Sequence, residues 1–191
     1  LGIAWGIEWI SKLCKLSNLD VTPTMVAEIT SALNALDRNS VAMLDELHAG
    51  IQDENIKLAL APFIQGGGFD GIINAASDDL EFSNFTVFEA AELLKAGERI
   101  SVPVLDYLFE QIEKRLTGAP TLIVMDEAAS FLKSEQFAGR INTWFRELRK
   151  SNTSLLMATQ FAEDATNESK AAEASVSTAL IQNCPTRIFL P

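Results

Sequence analysis

The sequence has 191 residues, enough for one domain or for one domain with a small appendage. Hydrophobic residues make up 48% of it, which supports a real core and excludes a wholly disordered chain. The 15 basic and 26 acidic residues give a net charge of −11. Because such a surface repels phosphate backbones, the composition argues against direct nucleic-acid binding by this chain.

Several classes of site lack the residues they need. Cys14 and Cys184 are the only cysteines and lie far apart, which argues against a disulfide scaffold or a zinc site. His48 is the single histidine, so neither a His-rich metal centre nor a Ser-His-Asp triad is indicated. No uncharged apolar run reaches about 18 residues, so the sequence predicts no membrane-spanning segment.

The first third of the chain predicts an all-helical subdomain over residues 1–65. One apolar stripe recurs at helical spacing at Ile3, Ile7, Ile10 and Cys14. Thr22 followed by Pro23 is typical of an N-cap and a first helical position. Ser40 and Asp53 are candidate N-caps of two short helices. Such short helices need packing partners to be stable.

The remainder, residues 66–191, alternates between strand and helix signals after the break at Gly66-Gly67-Gly68, which we interpret as a turn. Strands are predicted at 85–89, 121–125, 154–158 and 186–190. One helix is predicted to follow Pro103, and another follows a Ser134 cap with a stripe of Phe137, Ile141, Trp144 and Leu148. This order predicts an α/β fold with a parallel sheet covered by helices on both faces.

Two acidic residues, Asp126 and Glu127, directly follow the predicted strand 121–125. In open α/β sheets, reactive groups gather at the carboxyl ends of the strands. The first carboxylate could hold Mg²⁺ through water, and the second could orient or deprotonate a water that attacks a phosphate. The pair fits the Walker B pattern of an NTPase, although an acidic N-cap of the next helix is the simpler alternative.

Polar residues also end the next strand, at Thr159 and Gln160. A glutamine there can contact both a γ-phosphate and the attacking water, whereas the alternative is an ordinary strand terminator. A basic cluster at Arg146, Arg149 and Lys150 either complements a helix dipole or supplies an arginine finger to a neighbouring subunit. The phosphate-binding pattern G-x-x-x-x-G-K-[ST] occurs nowhere in the chain.

Four ordered motifs mark the second half: P-T-L-I-V-M-D-E-A at 120–128, F-R-E-L-R-K-S-N at 145–152, A-T-Q at 158–160 and N-C-P-T-R-I-F-L-P at 183–191. With upstream similarity that begins near Trp5, they resemble the traffic ATPases of conjugation and type IV secretion. The resemblance runs nearly end to end and is closest to the TrbE-like conjugal-transfer branch.

The resemblance implies a RecA-like motor domain of the FtsK/HerA type that hydrolyses ATP with Mg²⁺. It further implies a homo-oligomer, typically a hexamer, at the cytoplasmic face of the bacterial inner membrane with only peripheral membrane contact. Such motors energise pilus assembly and export together with other secretion subunits. Carried over, Asp126 and Glu127 are the Walker B pair and Asp126 the metal ligand. Gln160 is the γ-phosphate sensor with Thr159 beside it, and Arg149 acts in trans.

The same resemblance carries geometric expectations. The P-loop is expected upstream of Leu1, which makes residues 1–65 a helical insertion and residues 66–191 an incomplete motor core. Segment 121–125 should then pair with 155–159 and with 85–89. Segment 186–190 should be separated from 155–159 by a gap one strand wide, about 9 to 10 Å.

Two other functions remain open at this point. The chain could be a non-catalytic protein-interaction module derived from such a motor, with an acidic surface suited to a basic partner. A metal-dependent hydrolase built on Asp126 and Glu127 is disfavoured, because no further carboxylate lies at ligand spacing near a strand end.

Overall fold

A computed structural model describes residues 2–36, 43–75, 77–78, 80–128 and 135–158, together with Cys184, Thr186 and Ile188. Its α-helices are α1 Ile3–Leu16, α2 Pro23–Ala35, α3 Leu44–Gly50, α4 Glu54–Leu60, α5 Ala91–Lys95, α6 Glu98–Glu113 and α7 Glu135–Glu147. Its strands are β1 Thr121–Met125 and β2 Thr153–Met157, and short 3-10 helices lie at Ala61–Phe63 and Leu148–Ser151. The chain divides into two compact units, Leu1–Tyr107 and Leu108–Pro191.

The predicted helix starts of the first unit are largely confirmed. Pro23 is the first residue of α2, and the Thr22 Oγ1 accepts a hydrogen bond from the Met25 N–H at 3.4 Å. The Asp53 Oδ1 accepts from the N–H groups of Asn55 and Ile56 at the start of α4. These side chains satisfy donors that have no partner within the helix. The candidate cap Ser40 lies outside the described residues.

The first unit has a continuous apolar core made by helices α1 to α4. Its buried members are Ile10, Leu13, Cys14, Ile29, Ala32, Leu44, Leu47, Ile51, Ile56, Ala59, Leu60 and Phe63. Complete burial of a large apolar side chain stabilises the folded state by about 1.5–3 kcal/mol. The helices therefore depend on one another for stability, as their short lengths require.

The glycine-rich segment forms a turn that only glycine fits at two positions. Gly66 has a φ of 80°, in the left-handed region. A Cβ atom at Gly67 would overlap the carbonyl oxygens of Ala61 and Pro62. The interpretation of this segment as a turn is therefore confirmed.

The predicted start of the helix near Pro103 is wrong. Helix α6 begins five residues earlier, at Glu98, and contains Pro103 within it. The proline ring is fully buried between the buried residues Val102 and Leu105, and the Pro103 carbonyl accepts from the Trp9 Nε1–H at 3.0 Å. Packing of the ring thus outweighs the loss of one helical N–H donor.

The strand predicted at 85–89 is also wrong, because this segment has no regular secondary structure. Its backbone bonds locally instead: the Ser83 N–H donates to the Thr86 Oγ1 at 2.9 Å, and the Ser83 hydroxyl donates to the Phe85 carbonyl. Such side-chain bonds compete with a strand ladder. The alternation of Phe85 and Val87 therefore did not produce a strand.

The second unit contains a parallel pair of strands. Strand β1 pairs with β2 in a register from Thr121 opposite Thr153 to Met125 opposite Met157. The strand predicted at 121–125 is confirmed, and the next begins at Thr153, slightly earlier than predicted. Within the described residues the sheet has two strands, so the chain is α/β with a small parallel sheet. Segment 186–190, apart from Thr186 and Ile188, and its predicted gap lie outside the described residues.

Helix α7 buries the predicted stripe of Phe137, Ile141 and Trp144, and Leu148 continues it. The Phe109 ring at the end of α6 lies 4.7 Å from that of Trp144 and 6.0 Å from that of Phe137, between ring centroids. The Trp144 indole N–H donates to the Glu113 carboxylate. Aromatic packing therefore joins these two helices within the second unit.

Candidate functional site

The carboxyl ends of the two strands remain joined beyond the last paired residues. The Ala158 N–H donates to the Met125 carbonyl, and the Ala128 N–H donates to the Ala158 carbonyl, each at 2.9 Å. Asp126 and Glu127 lie between these two hydrogen bonds. The backbone on both sides of the acidic pair is therefore fixed to the end of β2.

The acidic pair is exposed and has an unusual backbone conformation. Glu127 has a φ of 48°, in the left-handed region that residues with a Cβ atom rarely adopt. The Asp126 Oδ1 accepts a hydrogen bond from the Glu127 N–H at 2.9 Å. A residue held in this region costs about 1–3 kcal/mol, and such strain is concentrated at functional sites. The conformation therefore marks this turn as a candidate site.

The two carboxylates fit a hydrated magnesium ion. Mg²⁺ is usually held by one or two carboxylates together with waters and substrate phosphates. Asp126 and Glu127 offer exposed oxygen donors of that kind, and one Asp126 oxygen is already oriented by the backbone. In the described part of the chain, no group of three His, Cys, Asp or Glu side chains forms a larger metal site.

The other predicted members of the site are not brought to it by the described residues. Thr159 and Gln160 follow Ala158 in the sequence but lie outside the described residues, so their position beside Glu127 stays a prediction. Arg149 lies at the opposite end of the sheet: its carbonyl accepts from the Asn152 N–H, and the Asn152 carbonyl accepts from the Thr121 N–H. Five-residue strands separate the two ends by about 13 Å.

The basic cluster surrounds that opposite end. Arg146 lies at the end of α7, and Arg149 and Lys150 lie in the 3-10 helix that leads into β2. All three residues are exposed. This geometry agrees with both interpretations, solvation of a helix end and contact with a second molecule.

Sequence reasoning missed the left-handed residues. Asn152 has a φ of 53°, and its side-chain amide donates to the Gly118 carbonyl at 3.2 Å. Asparagine tolerates this conformation, so its position between a helix and a strand was a usable signal. Glutamate gives no such signal, because the conformation of Glu127 depends on the flanking pairing of Ala158.

The buried Cys14 is not a reactive group. Burial, followed by the charge of Asp53, raises the pKa of the Cys14 thiol to about 11. The thiol is therefore neutral at pH 7 and acts as a small apolar side chain in the core. In the described ranges, no helix combines the length and the apolarity that a bilayer crossing requires.

Comparison with known proteins identifies relatives along nearly the whole chain. A family model described as the TraG P-loop domain matches residues 22–191. The conjugal transfer protein TrbE of Rhizobium radiobacter is 37% identical over 188 residues, which cover 98% of this chain and 22% of that protein. A probable conjugal transfer protein TrbE of Sinorhizobium fredii (strain NBRC 101917 / NGR234) is 36% identical over 192 residues, covering 98% and 28%.

A more distant relative comes from another genus. The type IV secretion system protein virB4 of Bartonella quintana (strain Toulouse) is 28% identical over 190 residues, covering 96% of this chain and 23% of that protein. The chain thus spans about a quarter of the length of these relatives.

Proposed function

The chain belongs to the TraG P-loop domain family, and from this premise we propose that it is part of an ATP-hydrolysing motor. The motor energises conjugative transfer or type IV secretion, including pilus assembly. The names of the relatives, two conjugal transfer proteins and a type IV secretion protein, support this assignment. ATP and Mg²⁺ are the proposed cofactors.

The observation that carries the proposal is the strained acidic turn at the carboxyl end of β1. Asp126 would hold hydrated Mg²⁺, and Glu127 would accept a proton from, or orient, the attacking water. When bound, Mg²⁺ supplies charge neutralisation for the β- and γ-phosphates. Gln160 would contact the γ-phosphate, with Thr159 beside the nucleotide.

Arg149 is proposed to act on the nucleotide of a neighbouring copy. Its position at the amino ends of the strands, about 13 Å from the acidic pair by strand length, supports a role in trans over one in the same chain. A guanidinium that reaches a developing phosphate charge is a recurring part of such sites. The proposal therefore includes a homo-oligomer, taken as a hexamer.

The wider setting completes the proposal. The assembly works with other secretion or conjugation subunits at the cytoplasmic face of the inner membrane, touching the membrane only peripherally. Residues 1–65 form a helical insertion, and residues 66–191 form an incomplete RecA-like core with helices on both faces of its sheet. The 191-residue chain alone should not hydrolyse ATP, because its sequence lacks G-x-x-x-x-G-K-[ST].

The test is Glu127→Gln in the longer protein that contains this chain. We expect ATP to bind within about twofold of the wild-type affinity while turnover falls about 10²–10⁴-fold, since only the general base is lost. Glu8→Gln removes an exposed carboxylate on α1 and serves as the matched control with normal turnover. Normal turnover in the Glu127 variant would refute the role assigned to Glu127.

A second candidate, a non-catalytic interaction module, is favoured by the exposed apolar side chains of Phe85 and Val87. It predicts no ATP hydrolysis by the longer protein at all. The same turnover assay on the wild-type protein therefore separates the two functions.

A further inference from the structure

An ordered loop in the first unit exposes two apolar side chains. Phe85 is 84% exposed and Val87 is 73% exposed. Beneath them the Phe82 and Phe88 rings meet edge to face, with centroids 5.5 Å apart. The Ser83 and Thr86 bonds fix the same loop. The loop therefore presents Phe85 in a preformed shape, which lowers the entropy cost of inserting it into a partner.

The surroundings of this loop are acidic. Residues 77–92 contain five acidic residues and no lysine or arginine: Asp78, Asp79, Glu81, Glu89 and Glu92. Glu81 and Glu89, which flank the loop, are both exposed. We call Phe85 and Val87 with Glu81 and Glu89 the acidic knob.

A second apolar surface lies on the sheet of the other unit. Leu122 is 62% exposed, Val124 is 58% exposed and Leu156 is 52% exposed. The register pairs Val124 with Leu156, and side chains two residues apart share a face, so all three lie on the same face. Alternate residues on the opposite face, such as Met125 and Thr153, are buried.

Positive charge borders this face at its amino end. Arg149 and Lys150 lie in the turn that enters β2, and Arg146 precedes them on α7. Among the ion pairs between described residues, none involves these three cations. We call Leu122, Val124 and Leu156 with Arg149 and Lys150 the basic face.

From these two surfaces we infer that the acidic knob of one copy docks on the basic face of a second copy. Both surfaces are apolar at their centres and carry opposite charges at their edges, as complementary interfaces do. Because the two surfaces differ, the contact is head-to-tail and leaves a free knob and a free face to extend the assembly. The inference goes beyond the proposed function and does not depend on ATP hydrolysis.

The test measures self-association of the 191-residue chain by sedimentation velocity over a range of concentrations and salt. Wild type should associate with concentration, and salt should weaken the association. A knob variant, Phe85→Ser with Val87→Ser, and a face variant, Leu122→Ser with Leu156→Ser, should each associate at least about tenfold more weakly. Leu58→Ser, which changes a 71% exposed leucine outside both surfaces, should behave as wild type.

Mixing the two defective variants gives the decisive measurement. The knob variant keeps an intact face and the face variant keeps an intact knob, so the mixture should form 1:1 dimers that do not grow further. Circular dichroism should show unchanged folding of both variants. A monomeric wild type, a mixture that stays monomeric, or undiminished association of either variant would overturn the inference.

Discussion

At Glu127 the backbone adopts a conformation that its side chain disfavours. The two hydrogen bonds through Ala158 fix the chain on either side of the acidic pair, so the turn cannot relax without breaking the end of the sheet. A glycine would adopt this backbone at no steric cost. The carboxylate is therefore retained at a cost in stability, as a functional group would be.

Glu127→Gly should consequently be more stable than Glu127→Ala by about 1 kcal/mol, because only glycine relieves the left-handed strain. Urea denaturation of the two variants measures the difference in the free energy of unfolding. Alanine removes the same carboxylate and keeps the strain, so it is the matched control. Equal stabilities would mean that Glu127 is not strained in solution.

Asp45 on α3 connects that helix to the glycine turn and the segment after it. Its Oδ1 accepts from the Gln65 N–H at 3.0 Å, and its Oδ2 accepts from the Asn74 side-chain amide at 2.6 Å. Asn74 is buried, so both hydrogen bonds have structural weight. The Asn74 hydrogen bond and then that of Gln65 lower the pKa of the Asp45 carboxyl below its ordinary value.

This lowered pKa predicts a loss of stability in acid. The Asp45 contribution is present above the ordinary aspartate pKa near 3.8 and is lost as pH falls through the lowered folded-state value. Urea midpoints at about pH 5 and about pH 3 should therefore differ more for wild type than for Asp45→Asn. An identical acid response in the Asn variant would contradict this role.

At the scale of elements, the glycine turn shows how close backbone approach selects a residue. Gly67 packs against the carbonyl groups of Ala61 and Pro62, whereas nothing lies within 4 Å of a Cβ at Gly68. The two adjacent glycines therefore have different roles. Helix α6 gives the complementary case, because packing of Pro103 extends a helix past a residue that usually limits one.

Gly67→Ala should destabilise the chain by about 1–3 kcal/mol, since the new methyl group forces the turn apart. Gly68→Ala should change stability by less than about 0.5 kcal/mol. Thermal unfolding of both variants under the same conditions compares them directly. A Gly67 variant as stable as the Gly68 variant would show that the close approach is absent.

At the scale of the whole molecule, charge is unevenly distributed along an acidic chain of net charge −11. The acidic knob belongs to the first unit and the basic face to the second. Arg149 and the acidic pair, at opposite ends of one sheet, would meet the same nucleotide only through a second copy. The proposed hydrolysis and the inferred head-to-tail contact thus both require more than one molecule, and both weaken as salt screens the charges.

The sequence by itself determined the features that depend on near neighbours. The Thr22 and Asp53 caps, the buried stripe that includes Ile141, and strand β1 were all predicted, because capping and hydrophobic periodicity act within one or two turns. The acidic pair was placed at a strand end for the same reason.

Tertiary structure decided the features that need a distant partner. Segment 85–89 has a strand-like pattern but no ladder, because a strand forms only when another chain segment satisfies its backbone groups. The position of Pro103 inside α6 depends on burial of its ring, and the left-handed Glu127 depends on hydrogen bonds to Ala158, 31 positions further along the numbering. Such contacts join residues that local sequence patterns cannot relate.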